Sequence, residues 1–278
     1  LLISACAGAA TPAPPTAAPA EDLPAQPLRD ARSREKGGCE DPRLSVIDGR
    51  VYMTYSAYAD VLQIALASIS KEDFMDLIQG DKRAALTKWK RYGPVFPGRQ
   101  DRNAVLFPGK IDGKYALLHR PTSEETRNIA ITFADSLEPP WPNHYETIIR
   151  TRPDMWDSER VGAGAQVLKT RHGWLLIYHG VGLRRGRRNY MLGAALLDMK
   201  DPRRVLSRSS EPIFIPLKDY ELYGWAPMVV FANGAIVKGK DATELVEDGD
   251  EIIIYYGGGD HVIGVACAKL SDLLPSSA

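Results

Sequence analysis

A fourfold recurrence of strand-like segments constrains the fold of this chain more than any other feature. Each copy opens with a turn and runs into β-branched and aromatic residues, as a buried or half-buried strand does. The copies are GRVYMTYSAY from residue 49, GKYALLHRP from 113, GWLLIYHGV from 173 and DEIIIYYGGGD from 250. They recur at intervals of about 60 to 75 residues, long enough for about four strands each. The recurrence therefore predicts an all-β protein of repeated four-stranded units.

A second strand-like segment follows each copy and ends in a polar turn. Examples are QIALASISKEDF from residue 63 and IGVACAKLSDLL from residue 263. Repeated four-stranded units are typical of a β-propeller, whose blades pack radially around a central cavity. We therefore predict a propeller with about four blades in this chain, and a single helical segment within SKEDFMDLIQGDKRAALTKW from residue 70.

The first 36 residues differ in composition from the remainder, so we divide the chain into residues 1–36 and a propeller domain of residues 37–278. The Pro/Ala-rich stretch TPAPPTAAPA cannot build a core and is typical of a linker. Leu-Ile-Ser-Ala-Cys resembles the end of a bacterial lipoprotein signal, with Cys6 as the lipid-anchored residue. The alternative is a chance cysteine in an alanine-rich leader. A true leader predicts a location in the cell envelope or periplasm; otherwise we expect the cytoplasm.

Composition and motifs exclude several classes of function. Lys plus Arg and Asp plus Glu both number 35, so no net charge draws the chain towards nucleic acid or anionic membrane. The sequence contains no GxSxG, HExxH or paired CxxC motif, which leaves serine-nucleophile and zinc chemistry unsupported. The segment VGAGAQVLKT is not a phosphate-binding loop, because it lacks the GxGxxG spacing. We expect neither a metal nor an organic cofactor.

A charged block, Glu40-Asp41-Pro42-Arg43, stands directly before the strand-like run of the first repeat. Proline stops a helix and cannot donate to a central strand ladder. The block therefore fits either a polar loop at a sheet edge, stiffened by an ion pair, or a carboxylate held at the mouth of a pocket.

Further polar residues stand at strand starts and ends in the other repeats. They are Arg102, Arg120, His179 and Asp260. Because such ends face the central cavity of a propeller, we expect these side chains to converge with Asp41. Two guanidinium groups aimed at one spot form a clamp for phosphate or carboxylate. Solvated arginines and a buried core histidine remain open as alternatives, and the same caution applies to Lys110 and Arg160.

Five blocks of the chain, in order, resemble glycoside hydrolase family 130, which contains β-mannoside phosphorylases and some β-mannosidases. The blocks are GCEDPRLSVIDGRVYMTYSAY, DRNAVLFPGKIDGKYALLHRP, WDSERVGAGAQVLKTRHGWLLIYHGV, YMLGAALLDMKDPRRVLSRSSEPI and YYGGGDHVIGVACAKLSDLL. The resemblance runs from about residue 37 to the end. It implies a five-bladed β-propeller with the active site in the central cavity.

The resemblance also implies a role for each site residue. Asp41 matches the general acid, which protonates the leaving oxygen through the 3-hydroxyl of the bound mannose. The residues implied for phosphate binding are Arg102, Asn103, Arg120, His179 and Arg160. The residues implied for substrate binding are Glu40, Arg43, Lys110, Tyr190 and Asp260.

The activity implied is that of an inverting β-mannoside phosphorylase, with inorganic phosphate as co-substrate and α-mannose 1-phosphate as product. Inverting hydrolysis needs a second carboxylate to activate water, whereas phosphate already carries negative charge and needs positioning instead. A β-mannosidase and an inactive glycan-binding propeller remain the alternatives, and a homo-oligomer is open.

Two departures from the family pattern stand out. A fifth blade normally precedes the Glu-Asp-Pro-Arg block, whereas only about 36 residues stand there, so most of the first blade is expected to be missing. Met228, in GWAPMVVF, stands where relatives usually carry asparagine, so we expect an altered preference for the leaving group.

Overall fold

The computed structural model describes residues 4–5, 38–80, 86–122 and 127–275. The expectations for Cys6 and for most of residues 1–36 lie outside these described residues. Within them the chain is mostly β-strand and forms four antiparallel sheets, arranged as the blades of a propeller. The prediction of an all-β propeller with about four blades is therefore confirmed.

Each blade is an antiparallel sheet. Blade 1 contains β2 (Gly38–Ile47), β3 (Arg50–Tyr58), β4 (Leu62–Ser70) and β5 (Lys90–Pro94). Blade 2 contains β6 (Asp101–Leu106), β7 (Tyr115–Pro121), β8 (Ile129–Ala134) and β9 (Glu146–Ile149). Blade 3 contains β10 (Arg160–Ala163), β11 (Leu168–Thr170), β12 (Gly173–Arg184), β13 (Arg187–Leu197) and β14 (Val205–Arg208). Blade 4 contains β15 (Val230–Val237), β16 (Glu251–Gly258) and β17 (Val262–Lys269), with β1 (Ser4–Ala5) added antiparallel to β17.

The core lies between neighbouring blades, and β12 shows why. Leu175 and Ile177 pack into the cluster shared with blade 4, whereas Leu176 and Tyr178 pack into the cluster shared with blade 2. Side chains alternate between the two faces of a strand, so a strand buried between two blades reads as one continuous apolar run. This explains why GWLLIYHGV lacks polar alternation.

The described residues contain three short helices: α1 (Lys71–Gln79) and α2 (Asp219–Leu222) lie between strands, and α3 (Leu270–Leu273) follows β17. The helix predicted from residue 70 corresponds to α1, whose first turn is capped by the Ser70 hydroxyl accepting from the Asp73 N–H at 3.0 Å. In the part of the chain that the structure describes, no helix combines the length and apolarity needed to span a membrane. Among the same residues, no cluster of His, Cys, Asp and Glu is suited to hold a metal ion.

Candidate active site

Two β-bulges bring Asp41 and Asn103 together at the starts of the inner strands of blades 1 and 2. The pairing register shifts between Glu40 and Arg43 in blade 1 and between Arg102 and Val105 in blade 2. Asp41 and Asn103 have positive φ values of 54° and 55°, a conformation in which Asp and Asn are enriched. The Asn103 Nδ2 donates to Asp41 Oδ2 at 3.3 Å.

The charged block is therefore part of β2 rather than a loop in front of it. Pro42 sits within the bulge, where the ladder is interrupted and its missing N–H costs no strand pairing. A bulge bends the strand and re-aims a side chain. Here it turns Asp41 towards blade 2, as the pocket interpretation of the sequence requires.

Arg43 ties the inner strands together beneath Asp41. Its side chain is 2% exposed and donates from Nε to Gly164 O at 2.7 Å and from Nη2 to Ala163 O at 3.2 Å. Its Nη1 donates to the main-chain oxygen of Asp41 at 2.7 Å. Burial lowers the pKa of the guanidinium, and the nearby Asp41 charge opposes that shift. The contacts observed for Arg43 fix the Asp41 backbone and link blade 1 to blade 3.

A buried cationic pocket forms where blades 2 and 3 face the cavity. Arg120 Nη1 lies 3.3 Å from His179 Nε2, and these residues are 4% and 0% exposed. Burial, reinforced by the positive charges of Arg160 and Arg102, lowers the pKa of Arg120 to about 9. Burial, followed by the charges of Arg120, Arg43 and Arg160, lowers the pKa of His179 well below its usual value. The imidazole is therefore neutral at neutral pH, and the pocket carries positive charge that an anion would compensate.

Three buried polar atoms of this pocket have no hydrogen-bond partner among the described residues. They are Arg102 Nε, Asn103 Oδ1 and His179 Nδ1. A buried polar group without a partner costs about 1–3 kcal/mol, so such a cluster points to a ligand.

Gly162 makes room for this cluster, because it pairs with His179 across β10 and β12. A Cβ at Gly162 would lie 2.5 Å from His179 Nε2 and 2.9 Å from Asn103 Oδ1. Tyr190 completes this side, since its ring stacks at 6.1 Å on His179 and its hydroxyl accepts from Arg160 Nη1 at 2.9 Å.

Asp260 reaches the same cavity from blade 4, on the β16–β17 hairpin. It has a positive φ of 50°, and burial followed by the negative charge of Asp41 raises the pKa of its carboxyl. Because the charge of Asp41 acts on Asp260, the two residues lie close enough to interact electrostatically. The cavity therefore combines a cationic side on blades 2 and 3 with a carboxyl side on blades 1 and 4.

Comparison with known proteins identifies this arrangement. The family model described as beta-1,4-mannooligosaccharide phosphorylase matches residues 28–276. The chain belongs to glycoside hydrolase family 130. The resemblance drawn from the five sequence blocks is thereby confirmed.

Several family 130 relatives are phosphorylases by name. A 1,2-beta-oligomannan phosphorylase of Thermoanaerobacter is 39% identical over 88% of this chain and 73% of its own length. A beta-1,2-mannobiose phosphorylase of Listeria innocua is 34% identical, and the chain spans 59% of that enzyme. A solved structure of the Listeria enzyme with beta-1,2-mannobiose matches with a TM-score of 0.69 over 85% of this chain. A beta-1,4-mannooligosaccharide phosphorylase of Ruminococcus albus is 33% identical over 63% of the chain.

The structure brings most of the expected family 130 site residues together, with two exceptions. Lys110 is exposed on the turn after β6, at the end of that strand opposite Asn103, and its ammonium lies over the Tyr115 ring at 4.9 Å. Glu40 is also exposed, next to the bulge. Their assignment to substrate binding stays a prediction.

Met228 lies at the entry to β15 with a φ of 64°, and its main-chain oxygen accepts from the Tyr190 N–H at 2.9 Å.

Sequence reasoning missed a buried chain of polar residues behind the cationic pocket. Asp101 accepts from the Arg102 N–H at 2.9 Å, and its other carboxylate oxygen lies 2.8 Å from His119 Nδ1. His119 Nε2 lies 2.9 Å from the Thr132 hydroxyl. These contacts hold the start of β6, from which Arg102 enters the pocket. The alternation of side chains along a strand could have indicated this arrangement. Because successive side chains point to opposite faces, His119 must face away from the side that Arg120 occupies.

Proposed function

We propose that this family 130 chain is an inverting β-mannoside phosphorylase, which transfers a mannosyl residue from a β-mannoside to inorganic phosphate. The observation that carries the proposal is the buried cationic pocket beside the Asp41 carboxyl group, which accepts a hydrogen bond from Asn103. Arg120, with Arg102 and Arg160 near it, provides fixed positive charge, and guanidinium groups bind phosphate through charge-assisted hydrogen bonds. Positioning of a nucleophile that is already charged removes the need for a base.

The roles proposed for Asp41 and Asn103 follow from their positions at the two β-bulges. Asp41, when protonated, gives its proton to the leaving oxygen, by the route through the mannose 3-hydroxyl that family resemblance implies. The bond between the anomeric carbon and that oxygen breaks, while a phosphate oxygen bonds to the opposite face of the sugar. Asn103 links the two halves of the reaction, because its amide nitrogen contacts Asp41 and its oxygen faces the pocket side at Gly162.

Burial, followed by the negative charge of Asp41, raises the pKa of the Asp260 carboxyl. Asp260 therefore binds a proton more readily than a solvated carboxylate does.

The linkage proposed is β-1,2. Three relatives that carry β-1,2 linkages in their names are 34–39% identical over 84–88% of the chain. The Ruminococcus enzyme, whose name carries a β-1,4 linkage, is 33% identical over a shorter match, 63% of the chain. The family model with a β-1,4 description matches residues 28–276, but it stands for the family as a whole, to which the β-1,2 relatives also belong. We therefore give more weight to the individual relatives with the longer matches.

The β-mannosidase alternative predicts a different product. Incubation with β-1,2-mannobiose, with and without phosphate, tests the proposal by chromatography of the sugars released. We expect α-mannose 1-phosphate and mannose in equal amounts, and almost no conversion without phosphate. Release of two mannoses per mannobiose, independent of phosphate, would establish hydrolysis instead. An inactive glycan-binding propeller would bind mannobiose and release nothing.

A further inference from the structure

An exposed aromatic loop stands on the active-site face of blade 4. In the segment 217–229, which leads into β15, Trp225 is 86% exposed and Tyr223 is 68% exposed. Among the described residues, no other large hydrophobic side chain is more exposed than Trp225. Tyrosine and tryptophan combine a large apolar ring with a polar O–H or N–H group, which suits them to contact a ligand at the surface.

The loop is held in place from below by a buried carboxylate. Glu221 is 1% exposed, and its Oε2 accepts from the N–H groups of Leu217 at 2.7 Å and Lys218 at 2.9 Å. Its Oε1 accepts from the Tyr256 hydroxyl at 2.7 Å. These bonds satisfy the buried charge and fix the backbone from which Tyr223 and Trp225 project. The outward position of both rings is therefore built into the fold.

The same loop docks on the hairpin that carries Asp260. A Cβ at Gly224 would lie 2.1 Å from Gly259 O, so only glycine allows the two backbones to approach this closely. The Ala226 N–H donates to Gly259 O at 3.2 Å. The Trp225 ring lies 6.2 Å from the ring of His261, the residue after Asp260. Trp225 thus lies beside the hairpin that carries Asp260, on the carboxyl side of the cavity.

We propose that Trp225 and Tyr223 form a sugar platform that binds mannosyl units beyond the cleaved bond, so that the chain favours β-mannooligosaccharides of three or more units. The identity of the sugar rests on the proposed function. The transferred mannosyl unit must reach the buried floor beside the phosphate pocket, so the rest of the oligosaccharide has to leave through the cavity mouth. The apolar face of a sugar ring packs on an aromatic ring while its hydroxyl groups remain in water.

Calorimetry with β-1,2-mannobiose, -triose and -tetraose, in the absence of phosphate, tests the platform directly. Trp225→Ala should weaken binding of the triose and tetraose about 5- to 10-fold, as expected for loss of one aromatic stacking partner. Binding of the biose should change less than about twofold, and Trp225→Phe should retain most of the affinity for the triose. Leu206→Ala is the matched control, because Leu206 is 44% exposed on the outer strand β14 and should have no effect.

Three results would overturn the platform: unchanged binding of the triose by Trp225→Ala, an equal loss for biose and triose, or no binding of any of these sugars by the wild-type chain. Size-exclusion chromatography of the same proteins tests whether a second copy of the chain binds at Trp225 instead of a sugar. Conversion of a dimer to a monomer by Trp225→Ala would assign this surface to the second copy. Because no phosphate is present, failure of the platform is distinct from failure of phosphorolysis. A chain that loses triose binding without Trp225, yet never forms mannose 1-phosphate, would keep the platform and refute the phosphorylase.

Discussion

The two sides of the cavity are built by opposite strategies. On blades 2 and 3, Arg120 and His179 are 4% and 0% exposed, and their pKa values are depressed by burial and by the charges of neighbouring arginines. On blade 4, Tyr223 and Trp225 are 68% and 86% exposed. A small, invariant anion is best held by rigid, desolvated charges, whereas a sugar chain of variable length needs an open surface. The comparison predicts that changes to Arg120 or His179 alter turnover and the use of phosphate. Changes to Tyr223 or Trp225 should alter only the preference for the length of the sugar chain.

The largest expected effect lies at Asp41, the proposed general acid. Asp41→Asn keeps the shape of the side chain but removes the acid proton, and general acid catalysis contributes about 10²–10⁴-fold. We expect kcat to fall within that range for β-1,2-mannobiose in saturating phosphate. Calorimetry should show mannobiose binding retained within a few-fold of wild type. Near-normal turnover by Asp41→Asn would remove Asp41 from the acid role.

The next largest effect separates phosphate from sugar. Arg120→Ala should lower kcat/KM for phosphate about 10²-fold, because a misplaced nucleophile reacts far more slowly. Any slow release of mannose without phosphate should stay unchanged. Arg203→Ala is the control, since Arg203 is 47% exposed and pairs with Asp201 on the surface. Equal losses in the phosphate-dependent and phosphate-independent reactions would mean that Arg120 serves the fold, not the anion.

A smaller effect is expected at Gly162, whose importance was not predicted from the sequence. The Cβ of Gly162→Ala would collide with His179 and Asn103, and overpacking of this kind costs about 1–3 kcal/mol. We expect a lower Tm and a higher KM for phosphate. Gly109→Ala should change neither, since a Cβ at Gly109 meets nothing within 4 Å. A Gly162→Ala protein with unaltered phosphate KM would show that the cluster around His179 is not the anion site.

The smallest effect concerns pH and follows from the depressed pKa of His179. The folded state disfavours the charged imidazole, so the unfolded chain binds more protons as the pH falls below the ordinary histidine range. The contribution of His179 to stability is therefore fully present above that range and declines by up to about 1.4 kcal/mol per pH unit below it. His179→Gln should show a shallower fall in Tm between about pH 7 and pH 5 than wild type. Parallel curves for the two proteins would indicate an imidazole that protonates freely.

The fold could be predicted from the sequence because propeller strands carry their information locally. The run GWLLIYHGV reads as a strand buried on both faces, and it is one, since blades 2 and 4 cover its two sides. The bulges at Asp41 and Asn103 could not be predicted, because a register shift depends on the partner strand and not on the strand itself. Gly162 was missed for the same reason: its importance lies in the side chains of His179 and Asn103, which only the folded chain brings near.

The exposed aromatic residues Tyr223 and Trp225 were not predicted from the sequence, for a different physical reason. A solvent-exposed tryptophan has the same local sequence pattern as a core tryptophan, and only its exposure in the folded chain distinguishes the two. The departure at Met228 was visible in the sequence, but its positive φ of 64° was not. Asparagine tolerates that conformation better than methionine does, so the structure shows why the substitution is unusual as well as where it lies.

The most direct test of the central claim is phosphate binding in the absence of turnover. Isothermal titration of phosphate into Asp41→Asn, with saturating β-1,2-mannobiose, should show one phosphate bound per chain. The Asp41→Asn, Arg120→Ala double variant should bind phosphate at least about tenfold more weakly, because charge-assisted bonds to guanidinium groups are the strong ones. Equal phosphate affinity in the two proteins, or no binding in either, would contradict the assignment of the buried cationic pocket to phosphate.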